Sequence, residues 1–118
     1  LWCKLDAGTE AYFHVVDGTR LPFRRILDNL LLVARERPIV IQSLFLALSG
    51  AGPDDVEVAA WVARMREIVD QGGRIDHVQV YTVARAPSDP RCAPLDAARL
   101  EAIAAKARDA GLAAAVYA

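Results

Sequence analysis

The sequence predicts an α/β fold in which parallel strands alternate with helices. Short apolar segments of the kind that form buried strands recur along the 118 residues, and segments with apolar residues at helical spacing lie between them. Turn residues separate the two kinds of segment. Such regular alternation is typical of parallel strands joined by helical crossovers. Two architectures fit the pattern, a small open α/β sheet and a segment of a (β/α) barrel.

The first third of the chain predicts one strand and two helices. The strand covers residues 1–5, a short apolar run. Thr9 can cap a short helix that continues through Val15. A longer helix begins at Phe23, because apolar residues recur there at intervals of three and four, and it ends before Pro38.

The middle of the chain predicts a buried strand followed by a third helix. Residues 39–46 are apolar and rich in β-branched side chains, which indicates a strand covered on its faces. Residues 49–53 form a Gly-containing loop. Asp54 or Asp55 caps the helix, and the glycine pair at 72–73 ends it.

The last third predicts a further strand, helix and strand. The third strand covers residues 77–84 and leads into a Pro-rich loop at 86–94. Asp96 caps a fourth helix that closes at Gly111. An Ala-rich strand at 113–117 completes the pattern, and we expect residues 1–118 to form a single domain.

Polar side chains collect on one face of each of the first three strands. Side chains alternate between faces along a strand, and this alternation places on one face Lys4, Asp6, Gln42, Gln79, Tyr81 and Arg85. The opposite faces are mainly apolar. Burying so many polar groups is costly unless their face borders water or a bound ligand. Alternatively, Lys4 and Asp6 are an edge-strand ion pair, and Gln79 and Tyr81 face solvent in an antiparallel arrangement.

The composition argues against several other classes of protein. Fourteen Lys and Arg residues against fifteen Asp and Glu residues give a net charge of −1, so that no basic excess predicts binding to nucleic acid or to an anionic membrane. Cys3 and Cys92 form no pair motif, so we expect a protein of the reducing cytoplasm. We expect Cys3 to be a core residue and Cys92 to be an exposed thiol in a loop. His14 and His77 lack partners at metal-ligand spacing, so we predict no metal site.

Three segments resemble a known family in their order and spacing. They are KLDAGTE at 4–10, VIQSLF at 40–45 and VQVYTVARAP at 78–87. Together they resemble the C-terminal half of bacterial radical S-adenosylmethionine (radical SAM) Fe–S oxidoreductases, and the group most similar to them is the wyosine-synthesis-like one. The resemblance implies an α/β fold that is half of a partial (β/α)6 TIM-like barrel.

The resemblance also implies roles for the polar face. Lys4, Asp6 and Gln42 would bind S-adenosylmethionine, with Lys4 and Asp6 near its ribose and amino-acid groups. Gln79 and Tyr81 would face the substrate. Arg85 would do the same and would meet a carboxylate or phosphate, for which its planar guanidinium is suited.

The chain departs from the family at the metal cluster. The family binds a [4Fe–4S] cluster through a CxxxCxxC loop, and this sequence has no such loop. The chain also begins at Leu1 rather than Met. We therefore expect a C-terminal portion, inactive alone, whose partner is the N-terminal half of the same polypeptide or a second copy in a homodimer. The alternative is a non-catalytic α/β binding or assembly module.

Overall fold

The fold consists of a four-stranded parallel sheet, four helices and a small antiparallel ribbon. The computed structural model describes residues 1–17, 21–83 and 91–117. In chain order the elements are β1 (Trp2–Lys4), α1 (Glu10–Asp17), α2 (Phe23–Glu36), β2 (Ile39–Leu44), β3 (Leu46–Leu48), α3 (Asp55–Asp70), β4 (Ile75–Tyr81), β5 (Cys92–Pro94), α4 (Ala97–Asp109) and β6 (Ala114–Val116).

The main sheet has the parallel arrangement that the alternation of elements predicts. Its strands lie in the order β1-β2-β4-β6, and each neighbouring pair is parallel. Helices α1 and α2 connect β1 to β2, and α3 lies between β3 and β4. The alternative in which Gln79 and Tyr81 belong to an antiparallel arrangement is wrong, because β4 is parallel to both of its neighbours.

Helices cover only one face of this sheet. On the covered face Ile41, Ser43, Val78 and Val80 are completely buried. On the opposite face the side chains of Trp2 and Lys4 are exposed, whereas Val40 and Gln79 at the centre of the sheet are buried. A doubly wound sheet carries helices on both faces, whereas barrel strands have helices only on the outside. One-sided covering therefore favours the barrel segment over the small open sheet.

Helices α3 and α4 begin with the predicted caps, whereas α2, for which the sequence predicts no cap, begins differently. The carboxylates of Asp54 and Asp96 each accept a backbone N–H bond of 2.7 Å, so that Asp54 rather than Asp55 caps α3. Helix α2 has no cap of its own. Its first N–H, at Phe23, donates instead to the carboxylate of Glu10, the first residue of α1, at 3.0 Å, so that the bond connects the N-terminal ends of the two helices.

The second predicted strand, 39–46, is divided in the structure. Strand β2 ends at Leu44, which is in register with Tyr81, the last residue of its partner β4. The chain then forms β3, which pairs antiparallel with Cys92–Pro94. The sequence pattern misses this ribbon because its two strands have three residues each and one of them contains a proline.

The third strand and the loop after it also differ from prediction. Strand β4 begins two residues earlier, at Ile75, and ends at Tyr81 instead of residue 84. Part of the predicted loop at 86–94 is strand β5, so Cys92 is a half-buried strand residue and not an exposed loop thiol. Residues 84–90, which include the predicted substrate residue Arg85, lie outside the described residues. Within the described ranges no helix is long and apolar enough to cross a membrane.

The loop between β1 and α1 passes directly against the backbone of α3. A Cβ atom on Gly8 would lie 2.0 Å from the Trp61 backbone nitrogen, so that only glycine fits at this position. The ring of Trp61 is itself fully buried and meets Phe45 edge to face, with ring centroids 5.1 Å apart. Gly8 thus permits the contact between this loop and the centre of the core.

Replacing Gly8 by alanine should destabilise the protein by more than about 3 kcal/mol, because backbone must move to relieve the overlap. The matched control is Gly50→Ala, since Gly50 has a φ of +84° but open space around it. That change should cost only about 1–2 kcal/mol of left-handed strain. Urea denaturation measures both free energies of unfolding, and equal losses would contradict the steric explanation.

Candidate functional site

A row of polar side chains crosses the uncovered face of the sheet. Lys4 of β1 is in register with Gln42 of β2, and Gln42 is in register with Gln79 of β4. Residues in register on parallel strands project to the same side of a sheet. The amide Nε2 of Gln42 lies 3.4 Å from Oε1 of Gln79. The structure therefore brings together three side chains that are 38 and 37 positions apart along the chain.

Tyr81 lies beyond this row, at the carboxyl end of β4. It is in register with Leu44, two residues after Gln79, and therefore projects to the same face. The side chain is half-buried. Four of the six predicted site residues, Lys4, Gln42, Gln79 and Tyr81, accordingly lie on one face of the sheet, and their roles remain predictions.

Asp6 and Lys4 form an ion pair at the carboxyl end of β1. The Lys4 ammonium lies 3.3 Å from Oδ2 of Asp6, and Oδ1 of Asp6 accepts a bond of 2.8 Å from the Leu44 backbone N–H. The Asp6 side chain is nearly buried, whereas 59% of the Lys4 side chain is exposed. Burial raises the pKa of the Asp6 carboxyl, against the opposing effects of the Leu44 N–H and the Lys4 charge.

Two open clefts meet at this ion pair. One has a volume of about 350 Å³ and is lined by Lys4, Asp6, Val16, Leu44 and Leu46. The other has about 330 Å³ and is lined by Lys4, Leu5, Asp6, Phe13, Leu21, Phe23 and Ile26. Both lie where β1 and β2 end, which is the end of a parallel sheet at which barrels and open α/β sheets bind ligands.

Glu57 is a residue of this site that the sequence analysis missed. Its buried carboxylate accepts hydrogen bonds from the Gly8 backbone N–H and, at 2.6 Å, from the Thr9 hydroxyl. It thereby fixes the loop that follows Asp6. The pattern Asp54-x-x-Glu57 predicts a local capping box, so nothing in the sequence indicates that Glu57 binds a loop 48 residues away.

The described residues offer no place for a metal ion. Across 1–17, 21–83 and 91–117, no three His, Cys, Asp or Glu side chains converge in a group that could hold one. Cys3 and Cys92 are both free thiols. Burial raises the pKa of the Cys3 thiol, which packs against the core as predicted.

The fold and this site define a segment of a (β/α) barrel with polar groups on its inner face. Solved structures share that fold. A domain of the pyruvate-formate lyase-activating enzyme from Bacteroides vulgatus matches all of this chain with a TM-score of 0.74 at 14% identity. A radical SAM methyltransferase from Sphaerobacter thermophilus matches 99% of it with a TM-score of 0.73 at 17% identity.

These likenesses confirm the fold that the resemblance implies, which is the TIM-barrel-like fold of radical SAM proteins. The chain spans 66% of the first structure and 33% of the second. No protein-family model matches the chain, and no curated protein sequence matches it.

The raised pKa of Asp6 predicts a specific dependence of stability on pH. A carboxyl with a raised pKa in the folded state stabilises the fold while protonated, and this contribution is lost as the pH rises through its folded-state pKa. The Asp6→Asn variant lacks the titration. From about pH 4 upward the free energy of unfolding of the variant should therefore increase relative to the wild type and then level off. A difference independent of pH, measured by denaturation between pH 3 and 8, would contradict this account.

Proposed function

We propose that this chain is the part of a radical S-adenosylmethionine enzyme that lines the cavity for the cofactor and substrate. The observation that carries the proposal is the polar row on the uncovered face of a parallel sheet, next to the Lys4–Asp6 pair at its carboxyl end. The fold shared with the two solved structures supports it. From the same resemblance we propose that the complete protein is a bacterial cytoplasmic oxidoreductase.

The polar groups of the open face fit S-adenosylmethionine. The amino-acid end of the cofactor carries one ammonium and one carboxylate, and the Asp6 carboxylate and Lys4 ammonium supply the two complementary charges within 3.3 Å of each other. Gln42 adds an amide that can accept from or donate to a hydroxyl group. When bound, the cofactor supplies a sulfonium group whose reductive cleavage is the chemistry of the family.

Gln79, Tyr81 and Arg85 remain the residues that we propose for the substrate. Gln79 and Tyr81 continue the polar face across β4, away from the Lys4–Asp6 pair. In the proposed enzyme the substrate would lie on this side, against the cofactor. Their amide and phenol groups select for polar partners, whereas the apolar Leu44 beside Tyr81 packs against carbon atoms.

The iron–sulfur cluster of the family does not fit the residues of this chain. Its ligands would be three thiolates, and the sequence contains two cysteines. We therefore derive no step through the cluster and assign to this chain the work of binding and orientation. In the proposed enzyme the N-terminal half of the same polypeptide supplies the cluster ligands.

Binding of S-adenosylmethionine to the intact protein tests the proposed function. Lys4→Ala should weaken binding by about tenfold to a hundredfold, as expected for losing a hydrogen bond to a charged group. Lys106, the other lysine of the sequence, is an exposed residue of α4, and Lys106→Ala is the matched control with an affinity within about twofold of the wild type. Calorimetric titration measures both. Equal affinities for the two variants would count against the site and favour the non-catalytic binding or assembly module.

The edge of β1 supports a further part of the proposal. Among the described strands β1 has one neighbour, β2, and the Leu1 and Trp2 side chains are exposed at its other edge. We propose that strands of the N-terminal half cover this edge in the complete protein.

The 118-residue chain, isolated, should therefore associate through its exposed edge and open face. Size-exclusion chromatography with light scattering is expected to show a dimer or larger species at micromolar concentration. A Trp2→Lys change places a second positive charge near Lys4 on this face and should shift the equilibrium towards the monomer. A wild-type chain that is monomeric at all concentrations would contradict an uncovered half barrel.

A further inference from the structure

A chain of four hydrogen-bonding side chains crosses the open face from β4 to β2. Oδ2 of Asp76 lies 3.2 Å from Nδ1 of His77, and Nε2 of His77 lies 3.3 Å from Nε2 of Gln79. Oε1 of Gln79 lies 3.4 Å from Nε2 of Gln42. Each contact needs one donor and one acceptor, so the direction of the first bond determines the direction of the others.

The direction follows from the chemistry of the groups at the start of the chain. An ionised carboxylate only accepts, so Nδ1 of His77 carries the proton that Asp76 receives. In a neutral imidazole the other nitrogen is then an acceptor, and the amide NH2 of Gln79 donates to it. The carbonyl oxygen of Gln79 consequently accepts from the NH2 of Gln42.

We propose that His77 and Gln79 are positioning residues that fix the orientation of the Gln42 amide in the site. Since the NH2 of Gln42 is committed to Gln79, its carbonyl oxygen is turned to the β1 side, where Lys4 is the residue in register. Gln42 then meets a ligand beside the Lys4–Asp6 pair as an acceptor. This selects hydroxyl and ammonium groups over carboxylates, and it rests on the proposed function for the identity of the ligand.

Protonation of His77 reverses this orientation. Imidazolium has two N–H donors, so Nε2 of His77 then requires the carbonyl oxygen of Gln79, and the NH2 of Gln79 turns towards Gln42. Gln42 must in turn accept, and it presents its NH2 to the ligand. Asp76 is the ionisable group that contacts the ring. Among the described residues the neighbours of His77 on β2 and next to β6, Val40 and Ala113, carry no charge.

The chain contains internal controls for the histidine and for the glutamines of this inference. Its second histidine, His14, contacts the Leu21 carbonyl oxygen through Nε2 at 3.1 Å and must donate there. Its third glutamine, Gln71, is exposed at the end of α3. Nitrogen-15 NMR of the imidazoles should therefore show the Nδ1–H tautomer for neutral His77 and the Nε2–H tautomer for His14. The Nε2–H tautomer at His77 would overturn the proposal.

Titration between pH 5 and 8, the range in which imidazoles ordinarily change charge, tests the reversal. The side-chain amide signals of Gln42 and Gln79 should shift with the same midpoint as His77, whereas the Gln71 amide should not follow it. In His77→Ala, and separately in Gln79→Leu, the pH-dependent shift of Gln42 should disappear. A Gln42 amide that is unaffected by the charge of His77 would overturn the proposal.

The ligand measurement separates this inference from the proposed function. S-adenosylmethionine should bind the intact wild-type protein at least about threefold more weakly below the His77 midpoint than above it, and His77→Ala should lose this step. If the amide signals follow His77 but the affinity does not change across the His77 midpoint, Gln42 is not a hydrogen-bond acceptor for the ligand, and that assignment is overturned. Absence of binding at every pH would overturn the proposed function, while the NMR titration still decides the orientation of the amides.

Discussion

The buried carboxylate of Glu57 links the helix layer to the loop that carries the site. A charge removed from water is costly unless it is hydrogen-bonded, and here the Gly8 N–H and the Thr9 hydroxyl both donate to it. Its position in the first turn of α3 adds the favourable field of the helix N-terminus. The Glu57 carboxylate thus holds the loop after β1 against α3, because it would lose these hydrogen bonds if either the loop or the helix moved.

The same helix also holds the ends of the two strands that border the clefts. Nε1 of Trp61 donates to the Leu5 carbonyl oxygen at 3.2 Å and to the Ser43 hydroxyl at 3.0 Å. The carboxyl ends of β1 and β2 are therefore anchored to one side chain of α3 from the covered face. Asp6 follows Leu5 directly, so its backbone is positioned by contacts made behind the sheet, whereas its carboxylate is held within the site by Lys4 and the Leu44 N–H.

The sequence predicts local features well and long-range partners poorly. Period-two alternation correctly groups Lys4, Gln42 and Gln79, because in a parallel sheet the face of each residue follows from its own strand. The role of Glu57 cannot be predicted in this way, since its partners are fixed only when α3 packs on the β1 loop. The sequence does not predict the ribbon of β3 and β5 for the same reason, because neither three-residue strand is stable without the other.

The covered face of the sheet contributes mainly to stability, and the polar face contributes mainly to binding. Side chains of the covered face, such as Ile41 and Val80, are completely buried and contribute packing energy. In the polar row on the other face, Gln79 is already buried and its amide contacts Gln42 and His77, whereas Lys4 and Gln42 remain accessible to water. These two can be desolvated only if a ligand satisfies their hydrogen bonds. Substitutions on the covered face should therefore change the free energy of unfolding, and those in the row should change ligand selectivity.

Asp6 contributes to both stability and binding, because its buried carboxylate accepts from the Leu44 N–H and also lines the clefts. Its elevated pKa is the expected consequence of placing a ligand-binding charge where the strands must also be held together.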